Sequence, residues 1–486
     1  MSNLTDLLPA GAGGKQVSFV ASGTIGNGVT VALNSDGTVT AVASDGSPQV
    51  IGTPVTFYSE GGSGPRWGEA TYDSVNNKVI FAFRDESGTN DSYGVAVVGT
   101  VSGATISFGT PVIFSTGSTF AVSCAFDSNE GKVVIAYRNA SNSSYGTAIV
   151  GTVSGTSISF GSAVVFDSST VTASSTVYDS TNQKIVICYW SQGATQTRVV
   201  VGTVSGSAIS FGSASTITTS INASELGGVS FDSSANKIVV AYTNASASDA
   251  GTAVVGTVTG TSVSFGTPVV FVSSGSQIGT PIYDSTNNKT VLAYRDHNNS
   301  LYGTAIVGTV SGTSISFGTP VVFNTGNTFY IATVFDAANS QTVIEYTDGG
   351  NSNYGTIVSG SVSGTSISFS TPAVFESATT LYSFATFDSD ARKAVIGYTS
   401  SSIGKAFLFS PEASNSTDFI GISDSAISDT ASGSVTIKGG ISTNVTGLTA
   451  NSTYYVQANG TLSTTASDVL AGKALSSTSI NLDYTT

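Results

Sequence analysis

The stretch VSCAFDSNEGKVVIAYRNASNSSYGTAIVGTVSGTSISF (122–160) decides the fold. A first strand runs from Phe120 to Asp127 and ends on an aromatic–Asp pair. KVVIAY (132–137) is a continuous apolar run, the pattern of a strand covered on both faces. Tyr145 to Val153 reads as a third strand. Beyond the turn Ser154–Gly155–Thr156, Ser157–Phe160 alternates polar and apolar residues, as an outer strand with one wet face does. β-Branched residues dominate, and no stretch has helical period.

This unit is one of seven. The aromatic–Asp pair recurs at Tyr72–Asp73, Phe126–Asp127, Tyr178–Asp179, Phe231–Asp232, Tyr283–Asp284, Phe335–Asp336 and Phe387–Asp388, with Asp spacings of 54, 52, 53, 52, 52 and 52. Ten residues after each Asp stands an aromatic: Phe83, Tyr137, Tyr189, Tyr242, Tyr294, Tyr346, Tyr398. Five residues after it stands a Lys, except at Gln341. A fixed offset through Ser, Asn and Gly implies a tight hairpin of constant length. The Asp is expected to bond the turn backbone and to pair with the Lys across it, both in structural roles.

Four strands per unit, repeated seven times, predict an all-β chain built as a seven-bladed β-propeller. A parallel β-helix has shorter coils and needs no two tight hairpins per repeat. The outer-strand motif occurs six times, and the last unit stops at KAFLFSP (405–411). Val29–Val42 (VTVALNSDGTVTAV) and IGTPVTF (51–57) are expected to supply the missing strand of that blade and so remove an open edge. The expected organisation is an N-terminal arm (1–15), the propeller (16–411) and a small C-terminal β-domain (412–486). The last carries SVTIKGG (434–440), TYYVQANG (453–460) and SINLDY (479–484).

Charged residues make up only 9% of the 486, and the net charge is −14 with no basic run, which argues against nucleic acid as a partner. No run of about 18 apolar residues is present, so no membrane insertion is expected. The opening MSNLTDLLPAGAGGKQ does not read as a secretory signal. Cys124 and Cys188, both inside apolar strand patterns, read as buried free thiols.

No catalytic constellation, metal site or cofactor motif emerges. His297 stands alone, and NSDGTV (34–39) lacks the closing Glu of a calcium loop and reads as a hairpin turn. Two Glu residues break the repeat. Glu345 fills a slot held elsewhere by Ala, Cys or Gly, and Glu69 one held by Ser, Gly, Thr, Ala or Phe. A glycosidase reading would need them to converge in one cleft. The loops after the second strands, such as RDESGTNDSYG (84–94) and RDHNNSLYG (295–303), are rich in amides, hydroxyls and aromatics that suit sugar or protein surfaces. The candidate ligand-binding residues are Trp67, Arg84, Asp85, Arg138, Trp190, Arg295, Asp296 and His297.

The opening LTDLLPAGAGGKQVSFVASGTIGNGVTVALNSDGTVTAV (4–42) and the ending FIGISDSAISDTASGSVTIKGGISTNVTGLTANSTYYVQANGTLSTT (419–465) with AGKALSSTSINL (471–482) resemble the ends of tailed-bacteriophage structural and tail-fibre proteins. The resemblance implies a virion component made in the host cytoplasm. Its expected partners are other virion proteins and a host-surface glycan or protein, with homo-oligomerisation left open. It carries over no catalytic residue. The leading expectation is a non-enzymatic appendage whose loop face recognises the host. A purely structural decoration or connector protein is the alternative, followed by a polysaccharide-degrading enzyme.

Overall fold

A computed structural model describes residues 15–34, 36–42, 49–59, 62–86, 92–218, 226–244, 247–273, 275–411, 418–456, 460–464 and 469–483. Their regular structure is β-strand, with no α-helix among the described residues. The chain divides into two compact bodies. One is Val50–Pro411, and the other joins the residues before it to those after it.

The larger body repeats one antiparallel unit seven times. In the second unit Thr119–Asp127, Lys132–Asn139 and Tyr145–Ser154 lie side by side. The outer position is filled by two short pieces on the same third strand: Ser157–Phe160 pairs its far half, and the start of Val164–Asp179 pairs its near half. Val164–Asp179 then continues as the first strand of the third unit.

The hairpin between the first two strands is the same in every unit. Asp73 pairs in register with Lys78, and its Oδ1 accepts from the amides of Val75 and Asn76 at 3.0 and 2.9 Å. Asp127, Asp179, Asp232, Asp284, Asp336 and Asp388 each accept from the two equivalent amides. The residue before each Lys turns left-handed, as at Asn77 with φ 52°. That conformation suits Asn77, Gly131, Asn236 and Asn288, while Gln183, Ser340 and Arg392 adopt it against their preference. The expected Asp–Lys ion pair is not formed among the described residues. The carboxylates are buried under the turn and already saturated by its amides.

The aromatic ten residues after each Asp is a core residue. Tyr137 is buried and meets Phe114 edge-on at 5.2 Å. Tyr189 meets Phe166, Tyr294 meets Phe271, Tyr346 meets Phe323 and Tyr398 meets Phe375 in the same way. Each such pair adds about 1 kcal/mol beyond its burial.

Each first strand packs against the first strand of the next unit, and that of the seventh packs against that of the first. Side chains tie these neighbours. Ser123 Oγ lies 2.8 Å from Thr176 Oγ1, Thr333 Oγ1 donates to the Thr280 carbonyl at 2.5 Å, and Thr399 Oγ1 donates to the Pro65 carbonyl at 2.6 Å. The seventh unit lacks its own outer pieces. Val50–Ile51 and Val55–Tyr58 pair with Ile403–Ser410 in their place. Phe57 then packs on Phe81, Phe83 and Phe384, joining the last unit to the first.

The other segment expected in that blade, Val29–Val42, lies elsewhere, which moves the expected start of the repeat body from 16 to 50 and leaves its end at 411. Thr30–Leu33 pairs with Phe419–Ser423 and Val39–Ala41, and Gln16–Val20 pairs with Ser432–Ile437. The smaller body is therefore built from both ends of the chain. It has one sheet of these five strands and a second of Ile441–Ser442, Ser479–Leu482, Leu470–Ser476, Thr453–Val456 and Leu462–Ser463. The physical reason is two-sided burial. Val31 packs with Ile25 and Ile427 on one face, while Ala32 packs with Ile422, Val456 and Ile480 on the other. A strand apolar on both faces needs two covers, whereas an outer strand has one.

Candidate functional site

The first strands carry a bulge at one place. Arg66 faces Arg84 and Glu69 faces Ala82, so one extra residue is inserted between them. The second, third, fourth, sixth and seventh units have the same irregularity. Trp67, Ala121, Tyr330 and Tyr382 occupy equivalent positions six residues before the repeat Asp, with φ of 45°, 48°, 48° and 54°. A bulky side chain in left-handed backbone costs about 1 kcal/mol or more, so such residues mark positions where the bulge aims a side chain.

The three aromatics form an arc. Tyr330 and Tyr382 have ring centroids 5.2 Å apart, Tyr382 and Trp67 5.7 Å, and Trp67 and Phe120 5.6 Å. Trp67 and Tyr330 remain 40% and 41% exposed. The arc borders an open recess of about 550 Å³, which Gln277, Arg295, Phe329 and Ile331 also line. Arginines surround the rings. The Arg84 guanidinium lies 4.9 Å from the Trp67 ring and 3.9 Å from Phe120, Arg138 lies 3.9 Å from Phe120, and Arg66 lies 5.3 Å from Tyr382. Arg295 lies 4.5 Å over Phe329 and donates to Gln277 Oε1 at 2.8 Å. Glu86 bridges Arg66 and Arg84 at 2.8 and 2.9 Å.

Four of the eight sequence candidates, Trp67, Arg84, Arg138 and Arg295, thus meet around these rings. The others do not. Trp190 is a core residue, packed with Val199, Val240 and Tyr242 between the third and fourth units. Its slot alternates inward, and its neighbouring loop does not change that. Asp85 is fully buried, with its backbone tied to Tyr93 and Ser92, and cannot face a ligand. Asp296 caps its own turn through the Asn298 amide, and His297 is exposed on that turn outside the recess lining. Loop 84–94 is described only at 84–86 and 92–94. Sequence reading missed Phe120, Gln277, Phe329, Tyr330 and Tyr382. The signal was present: the slot six residues before the Asp is aromatic three times, and the slot before it twice.

One or two residues further along the same strands lies a cavity of about 610 Å³, lined by Glu69, Thr71, Cys124, Ser175, Thr280, Thr333 and Ser383. Desolvation pushes the Glu69 carboxyl up to about 7. Glu345 is completely buried, and its Oε1 accepts from Ser383 Oγ at 2.8 Å. Burial holds its carboxyl well above the usual carboxylate range. Neither Glu has a cationic partner among the described residues. Cys124 and Cys188 are free and buried, and burial raises both thiols. No cluster of three metal-ligating side chains occurs among the described residues.

No family model and no curated protein matches the chain. Among solved structures, the BP39L lectin from Burkholderia pseudomallei is similar in fold, with a TM-score of 0.52 at 12% identity over 74% of this chain and 99% of that one. A protein of unknown function from Dyadobacter fermentans gives a TM-score of 0.47 at 12% identity over 74% and 99%. The Hadza microbial sialidase Hz136 gives 0.41 at 9% identity over 76% and 69%.

Proposed function

We propose that the seven units close into a β-propeller whose aromatic recess binds carbohydrate on a host surface, and that the chain serves as a non-enzymatic appendage of a phage particle. The observation that carries the binding reading is the arc of Trp67, Tyr382 and Tyr330. Three strained backbones hold large rings half-open to solvent. Ring faces stack on sugar C–H groups, and Gln277 and Arg295 supply planar donors and acceptors for hydroxyls. The fold shared with a lectin supports a scaffold of this kind.

Catalysis fits the carboxyls poorly. Glycoside hydrolysis needs one protonated acid and one ionised carboxylate, whereas burial raises both Glu69 and Glu345 and no cation stands beside either among the described residues to hold one of them ionised. The virion assignment rests on the resemblance of the two ends of the chain to phage proteins. Binding of the full chain to an immobilised glycan panel, repeated with Trp67→Ala, tests the recognition reading. Retention of every bound glycan by the variant would remove the recess as the site. Gold-labelled antibody on intact particles tests the assignment, and particles that stay unlabelled while the epitopes are accessible would remove it.

A further inference from the structure

We propose that the cavity lined by Glu69, Thr333 and Ser383 binds a protonated primary amine, with the ammonium group on Glu69 and the carbon chain against the neighbouring rings. This cavity and the aromatic recess have only Ile331 in common among their lining residues. The amine site therefore stands whether or not the recess takes sugar.

Charge is the first reason. The cavity walls come from six of the seven units and hold one carboxylate, Glu69, with no Lys, Arg or His among the described lining residues. Glu69 Oε1 accepts from the Ala70 amide at 3.4 Å, and the side chain has no ion pair among the described residues. Desolvation raises its carboxyl to about 7, so a cation brought into the cavity gains by holding it ionised. The repeat does not need a carboxylate there, since Ser123, Ser175 and Thr280 fill the same slot in other units. One negative charge matches one positive charge. A divalent ion would leave a net charge in a poorly solvated space, and no three His, Cys, Asp or Glu side chains converge to offset it among the described residues.

Hydrogen-bond polarity is the second reason. Ser383 Oγ donates its proton to Glu345 Oε1 at 2.8 Å, and Thr333 Oγ1 donates its own to the Thr280 carbonyl at 2.5 Å. Toward the cavity both hydroxyls then offer lone pairs alone, which call for a donor. A primary ammonium carries three N–H groups, whereas a quaternary one carries none. The third reason is room. A space of about 610 Å³ far exceeds a bare ion and lies within the range of small-molecule sites. Phe126, Tyr178 and Phe387 are among its walls, giving apolar surface for a carbon chain and ring electrons near the charge.

The test titrates the full chain calorimetrically, in amine-free buffer, with n-butylammonium, its neutral match n-butanol, tetramethylammonium and potassium. n-Butylammonium should bind about tenfold or more tighter than n-butanol and tetramethylammonium. It should raise the melting temperature more at about pH 8 than at about pH 5, because ionised Glu69 holds it. Glu69→Gln and Glu69→Thr should each abolish binding. The second installs the residue that the fifth unit carries at this slot, so the fold is kept. Ser383→Ala should weaken binding about fivefold by removing one acceptor. n-Butanol binding as tightly as n-butylammonium, or binding that survives both Glu69 variants, would overturn the amine site. Potassium binding that depends on Glu69, with none of n-butylammonium, would replace it with a metal-ion site. Neither heat nor stabilisation from n-butylammonium would overturn it outright.

Discussion

The Tyr72 phenol lies beside the carboxylate of Asp388, and burial together with that charge pushes it up to about 12. Tyr178 bears the same relation to Asp127, and Tyr283 has the Asp232 charge beside it. In the third and fifth units the partner belongs to the preceding unit. For the first unit the partner belongs to the seventh. The contact that links neighbours along the chain therefore also links its two extremes, and it does so at the turn Asp that defines the repeat.

Removing these hydroxyls should cost the same at both places. Tyr72→Phe and Tyr178→Phe each remove a phenol hydroxyl from beside the turn carboxylate of a neighbouring unit, a polar contact worth about 1 kcal/mol at such half-buried positions. Urea unfolding monitored by circular dichroism should shift both midpoints alike. A silent Tyr72→Phe beside a destabilised Tyr178→Phe would mean that the first and seventh units do not meet as described.

Phe57 makes the stronger demand. It arrives from Val55–Tyr58, the segment that pairs with the last unit, and is buried against rings of the first and last units. Truncating a buried Phe costs about 3–5 kcal/mol. Phe57→Ala should destabilise the larger body by that amount in calorimetry. The matched truncation of exposed Val75 should be neutral.

The pH dependence of stability follows from Glu69. Its carboxyl titrates at about 7 in the folded chain against an ordinary 4.5, so between these values the folded state binds more protons than the unfolded one. Stability from this group is complete below 4.5 and falls as pH rises through 7. Glu345 extends the fall to higher pH. The melting temperature should drop between about pH 5 and about pH 8, and Glu69→Gln should flatten that part of the curve. A profile that Glu69→Gln leaves unchanged would contradict the raised carboxyl.

Much of this architecture was legible because it is periodic. Asp73 and its six counterparts sit at one offset from a Lys or Gln, and that offset dictates the hairpin and its register. The site was half legible. Trp67 and Arg295 stand out as rare residue types, but Tyr330 and Tyr382 read as ordinary strand residues, because a bulge that reverses a side chain leaves no mark in an alternating pattern. Trp190 was misplaced for the converse reason. Its loop is irregular while its own slot faces the core. The course of Thr30–Leu33 was illegible, since local alternation does not say which distant strand will cover it.

That course yields a prediction of its own. Ala32 is completely buried between strands from the two ends of the chain, in a core containing Ile422, Val456 and Leu482. A carboxylate there has no partner and costs several kcal/mol. Ala32→Asp should abolish the calorimetric transition of the smaller body and leave that of Val50–Pro411 in place. A single shifted transition for the whole chain would show that the two cores do not unfold separately.

The strained bulge separates stability from binding at one residue. Trp67 has φ 45°, where glycine is comfortable and an alanine keeps the strain. Trp67→Gly and Trp67→Ala both remove the ring from Phe120, Tyr382 and Arg84. They differ only in backbone cost, so the Gly variant should be the more stable by about 1 kcal/mol. Binding should fall about tenfold or more in both, because it depends on the ring. The wild-type chain offers a direct check, since it has two tryptophans. Acrylamide should quench exposed Trp67, ligand should protect it, and buried Trp190 should respond to neither. Equal stability of the two variants would argue that the bulge is unstrained and that the ring is presented by side-chain packing alone.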